Sequence, residues 1–95
     1  MPHFTAAIQL RPNYPEAFYN QGVALAQSGR GTEAIPRYEH ALQLRPNYPE
    51  AENNLGAALA GAGRTAEAIT HYQNALRLRP DYPEARYNLD LARRK

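Results

Sequence analysis

No cysteine occurs among the 95 residues, so neither a disulfide framework nor a thiolate metal site is possible, and a reducing cytoplasm is permitted without being required. Long apolar runs are missing too. None approaches the roughly 20 residues needed to cross a bilayer, and the N-terminus MPHFTAAIQL has neither the basic stretch nor the apolar core of a signal peptide. Charge of one sign is scarce: 11 Arg and Lys stand against 9 Asp and Glu, a formal +2 too small and too mixed to announce a nucleic-acid or membrane partner. The chain reads as one small soluble domain, placed in the cytoplasm with the periplasm as the alternative, whose modest core demands efficient local packing.

Nucleophiles and metal ligands are equally sparse. The single serine, Ser28, falls in a turn without a partner to activate it. His3, His40 and His71 are the only histidines; the last two have no second histidine one turn away and are expected to be solvated, with no metal bound. No phosphate-cradling glycine loop or dinucleotide fingerprint is present. Glu33 and Glu67 recur, but each opens a helix, where the dipole favours a negative charge. These absences predict no enzyme and no cofactor.

What the chain does contain is repetition. LRPNYPEA occupies residues 10–17, recurs unchanged at 44–51 and returns as LRPDYPEA at 78–85, each time 34 positions further on. Residues 12–45 laid over 46–79 agree at 21 of 34 positions without a gap, which is the signature of a stacked array of like units. The N-terminus conforms as well, with Phe4 under Tyr38, Ala7 under Ala41, Ile8 under Leu42 and Leu10 under Leu44.

Each unit reads as two helices. Pro49 suits a first helical position because its fixed φ is helical and its missing N–H would be unpaired there. Tyr48, preceding a proline, is pushed toward extended backbone, and Glu50 places a negative charge in the first turn. Ala51, Leu55, Ala58 and Leu59 then follow helical spacing until Gly61 and Gly63. A second helix opens near Thr65, carries Ile69, Tyr72, Ala75, Leu76 and Leu78, and stops before Pro80. Pro15, Gly29 to Gly31 and Pro46 repeat the plan. The octapeptide is therefore a junction: helix end, tight turn, next helix start. Tyr14, Tyr48 and Tyr82 within it are expected to pack. Pro36, four residues after Thr32, predicts a delayed or kinked start to the second helix of the first unit.

The pattern resembles the tetratricopeptide repeat family over essentially the whole chain, with Gly22 and Gly56 in first helices, Ala34, Ala68, Tyr38, Tyr72, Ala41 and Ala75 in second helices, and Pro46 and Pro80 after them. The resemblance implies an all-α fold, a right-handed superhelical array of antiparallel helix pairs. Each glycine is expected to face an alanine and let two backbones approach, with Tyr38 and Tyr72 filling the wider gap alongside. The chain divides into the second helix of a truncated repeat and its turn (1–14), repeats at 15–48 and 49–82, and a capping helix (83–95). In that last helix Arg86 replaces Phe18 or Glu52, Asp90 replaces Gly22 or Gly56 and Arg93 replaces Leu25 or Leu59, so the array is expected to end there.

The family's first helices line a concave groove. Here that face carries Glu16, Tyr19, Asn20, Val23 and Gln27, then Glu50, Asn53, Asn54, Ala57 and Gly61, then Glu84, Tyr87, Asn88, Leu91 and Lys95. Asn20, Asn54 and Asn88 fall in register as a ladder. Amides offer donors and an acceptor to the backbone of an extended peptide, so a protein or peptide partner is expected. Members of the family that clamp chaperone C-terminal tails carry Lys, Asn and Arg on these faces; the corresponding sites here hold Tyr19, Val23, Asn54, Glu84 and Asn88, of which only Asn54 fits and Glu84 would repel a carboxylate, which argues against such tails. Two other readings are self-association, as a homo-oligomer joined through residues 3–11, and RNA binding by Arg37, Arg77, Arg79, Arg93, Arg94 and Lys95, whose scatter argues against nucleic acid.

Overall fold

The structure, a computed structural model, describes residues 14–94. The expected helix over residues 3–11 and the groove position Lys95 lie outside them. Within them the chain forms five helices and no strand: α1 (Pro15–Gln27), α2 (Gly31–Leu44), α3 (Pro49–Gly61), α4 (Thr65–Leu78) and α5 (Pro83–Arg93). No helix among the described residues is long and apolar enough to cross a membrane.

The local rules read from the octapeptide hold. Proline occupies the first turn of α1, α3 and α5, and the residue ahead of it, Tyr14, Tyr48 or Tyr82, leaves the helical region with φ/ψ of −91°/104°, −136°/84° and −133°/85°. At the other end of α1 and α3 the stop is glycine. Gly29 and Gly63 adopt φ of 81° and 82°, a left-handed conformation that a side chain would strain. Two bonds then close each end: Gly29 N–H donates to Ala26 and Arg30 N–H to Leu25, mirrored by Gly63 to Ala60 and Arg64 to Leu59, at 2.8–3.1 Å. The second helices begin with an ion pair that joins Arg30 to Glu33 and Arg64 to Glu67, through Nε–Oε contacts of 2.8 and 2.7 Å.

Consecutive helices pack against each other, and α3 also touches both α1 and α5, so α1, α3 and α5 form one layer and α2 and α4 the other. Alanine marks the closest approaches: Ala17, Ala34, Ala41, Ala51, Ala68, Ala75 and Ala85 have no exposed surface. Tyr38, Leu55, Leu59, Tyr72 and Leu89 fill the space between. On α5, Ala85, Leu89 and Ala92 are buried against the preceding pair, whereas Arg86, Asp90 and Arg93 are exposed.

Two expectations need correction. Gly22 does not face an alanine. A Cβ built there would lie 2.4 Å from Cε1 of Tyr38 and 2.7 Å from its Cδ1, and at Gly56 the same atoms of Tyr72 would lie at 2.6 and 2.7 Å. Each glycine is thus the seat of a buried tyrosine ring from the partner helix; the close contact is ring on backbone, because a planar ring can lie flat where a second side chain would collide. Nor does Pro36 delay its helix. Both second helices span 14 residues, and their first turns close alike, with Ala34 N–H to Arg30 at 3.2 Å and Ala68 N–H to Arg64 at 3.0 Å. Pro36 removes only the ladder bond to Thr32, and both residues are exposed, so water can take the carbonyl left behind.

Candidate functional site

The layer of first helices presents one face built from positions 34 residues apart. Its rim is set by the octapeptide. Arg45 of the second copy pairs with Glu16 of the first, and Arg79 of the third pairs with Glu50 of the second, so each junction is tied to the one before it. Each guanidinium also lies over a junction tyrosine, Arg45 at 4.9 Å from the Tyr48 ring centre and Arg79 at 4.8 Å from that of Tyr82. Desolvation raises the pKa of Glu16, but its backbone hydrogen bond and the bond and charge of Arg45 outweigh this and hold it below the usual carboxylate range. Glu50 behaves alike: desolvation is opposed by Arg79 and its own backbone, with a net lowering. Glu84 is exposed, and no cation among the described residues pairs with it.

Further along this face runs a row of side-chain hydrogen bonds. Asn88 Nδ2 donates to Asn53 Oδ1 at 3.1 Å, Asn53 Nδ2 to Asn54 Oδ1 at 3.3 Å, and Asn54 Nδ2 to the Tyr19 hydroxyl at 3.2 Å. Every member donates in the same direction. The Tyr19 O–H is left free to donate onward at one end, and Asn88 Oδ1 is left as an acceptor at the other. Tyr19 is held from behind by Tyr48, with ring centres 5.1 Å apart, and by Tyr38 at 6.0 Å. Burial raises its pKa, the negative charge of Glu50 adds to the rise, Asn54 opposes it and Glu84 adds again, so Tyr19 and two carboxylates share one neighbourhood.

The other positions fall as follows. Val23 is half-buried on α1, Asn20, Gln27, Ala57, Gly61, Tyr87 and Leu91 are exposed, and Tyr87 reaches 63% exposure. Asn53 differs from the expected open position: at 1% exposure it is an interior link in the row. Tyr48 packs in the core, while Tyr14 stands out at the end of the described chain. A cavity of about 580 Å³ opens beside the row, between α1, the α1–α2 turn and α3, and Val23, Gln27, Asn54, Ala57 and Gly61 line it. Sequence reasoning missed the α2 side of that cavity, Gly31, Thr32 and the base of Tyr38, because those residues read as turn and core.

On the opposite layer the histidines are more engaged than expected. His40 stacks on Phe18, with ring centres 4.0 Å apart and planes within 7°. His71 Nδ1 lies 2.7 Å from Oε1 of Glu52, itself only 8% exposed. Among the described residues there is no group of three or more side chains able to hold a metal ion.

Helix pairs, stacked in two layers with a repeated junction, define a helical-repeat protein. The tetratricopeptide repeat model matches residues 13–81, and the chain belongs to that family. Among solved structures, it is similar to the first tetratricopeptide repeat domain of Spaghetti (RPAP3) bound to the HSP90 peptide SRMEEVD, with a TM-score of 0.92 and 24% identity over 96% of this chain and 72% of that one. No curated protein matches the chain.

Proposed function

We propose that this chain is a non-catalytic interaction module that holds an extended protein segment on the face of α1, α3 and α5. The observation that carries the reading is the oriented row from Asn88 through Asn53 and Asn54 to Tyr19. A preset donor at one end and acceptor at the other suit the alternating carbonyl and N–H groups of an extended backbone, whose own hydrogen bonds are unmade. Because the row is already aligned, little side-chain entropy is lost on binding. Asn20, Glu16, Glu50, Glu84, Val23, Gln27, Ala57, Tyr87 and Leu91 would border the segment.

The RPAP3 domain binds an acidic chaperone tail, so the fold admits such a ligand. Side chains argue for a different one here. A carboxylate clamp needs free cations, and Arg45 and Arg79 are each engaged by a glutamate and a tyrosine ring. Glu84 would repel an acidic tail, so a neutral or basic segment is favoured. An unbiased peptide-display selection, repeated with Asn20, Asn54 and Asn88 all changed to alanine, tests the reading. Loss of binding is the expected result, alongside a lowered melting temperature because Asn53, 1% exposed, then keeps neither amide partner; undiminished binding moves the site elsewhere.

A further inference from the structure

The cavity beside the amide row differs from the rest of the face in having no charge and almost no bulk. Its wall is made of Val23 and Gln27 from α1, Ala57, Gly61 and Asn54 from α3, and its base is Tyr38. No lining residue carries a charge near neutral pH; the Tyr38 phenol stays protonated there, because burial raises its pKa. A Cβ added at Gly31 or Gly61 would meet nothing within 4 Å, so neither the turn nor the end of α3 is backed by a neighbour that fills the space. Thirty-four residues further on, Ala57 becomes Leu91 and Gly61 becomes Lys95. The opening is therefore a property of α3 and its small residues and is not a consequence of the repeat backbone.

We propose that this cavity receives one large uncharged apolar side chain, of the leucine, methionine or phenylalanine kind, from a protein segment that is neutral or basic on either side of it. The inference rests on the binding-face reading and specifies its ligand. A volume of about 580 Å³ lies within the range of sites that enclose small organic groups, roughly 300–1,000 Å³. A charged side chain placed there would be desolvated with no counter-charge in the wall, whereas an apolar one trades water for alanine, valine and a tyrosine ring. Charge complementarity sets the flanks: among the described residues Arg45 and Arg79 on this face are each paired with a glutamate, and the carboxylate of Glu84 is the charge left over.

The test uses random peptides displayed on phage, selected on the whole chain and then measured against Ala57→Leu, which copies Leu91. Position 57 is exposed, so the fold should tolerate leucine, and Gly61→Ala serves as a second, milder filling. Selected peptides should share an apolar residue with neutral or basic neighbours and should lose affinity for Ala57→Leu by about tenfold or more at unchanged melting temperature. Peptides that lose affinity for Asn88→Ala but bind both filled variants normally would overturn the cavity assignment and leave the binding face standing. Selection of acidic peptides lacking an apolar residue would overturn it as well. Failure to enrich any peptide would sink both.

Discussion

The first helix pair, α1 and α2, and the second, α3 and α4, have matching lengths and matching turns, yet they close the same outer gap with opposite chemistry. In the first, Phe18 lies flat on His40. In the second, Glu52 occupies the place of Phe18 and is held by His71, one turn earlier on the partner helix. The contacts common to both pairs are a tyrosine ring seated on a glycine and an alanine at each crossing. Those fix the distance between helices, because neither can give without a cavity or a collision. Where the helices stand further apart, any pair that fills space and satisfies its polar atoms serves, so stacking and hydrogen bonding exchange freely.

Exchanging residues between the pairs tests this directly. The largest effect should come from Thr70→Pro, which copies Pro36 into α4 and should destabilise by about 3 kcal/mol; Pro36→Thr should stabilise by up to about the same, both read by urea unfolding. Equal stability of either variant and the parent would show that the helix accommodates proline at this position without net cost. Next, His71→Ala strands a nearly buried carboxylate and should cost roughly 1.5–3 kcal/mol, against about 0.5–1.5 for His40→Ala, which forfeits a stacking contact. The reverse order would mean that Glu52 is solvated in solution.

Gly22→Ala and Gly56→Ala should each cost about 1–3 kcal/mol by driving a methyl into a buried ring, with Gly22 at least as sensitive since its contacts are shorter. Thermal melts unchanged by either would remove the ring-on-backbone contact from the account. The smallest effects belong to the junction: Arg45→Ala and Arg79→Ala should each cost under about 1 kcal/mol, because both pairs face solvent. Their signature is pH dependence. Glu16 and Glu50 titrate below the ordinary 4.5 when folded, so their contribution is complete above that value and fades as the pH falls through the lowered one. At the alkaline end, burial, helped by Glu16, pushes Tyr48 up to about 12, so stability present below pH 10 should be lost as the pH climbs through 12. A pH series of unfolding curves for the parent and Arg45→Ala separates the two limbs; an acid limb that survives Arg45→Ala and Arg79→Ala unchanged would assign it to other carboxylates.

The candidate face was legible in part. Residues 34 apart fell on one side of the layer because a repeat that preserves its helices preserves their faces. The recurring Arg and Glu of the octapeptide, 29 residues apart across successive copies, carried a signal for the junction ion pairs that spacing alone could have raised. Asn53 carried none: its neighbours in sequence suggested an open position, and only the approach of α5 turned it into an interior link between Asn54 and Asn88.

By itself the sequence determined where helices start and stop, how often they recur and which stripe each one buries, since proline, glycine and apolar spacing act within a turn or two of the chain. The tertiary structure alone decided which ring sits on which glycine, which arginine meets which glutamate and which way the amides point. Those pairings depend on distances between helices, and such distances exist only once the layers have closed.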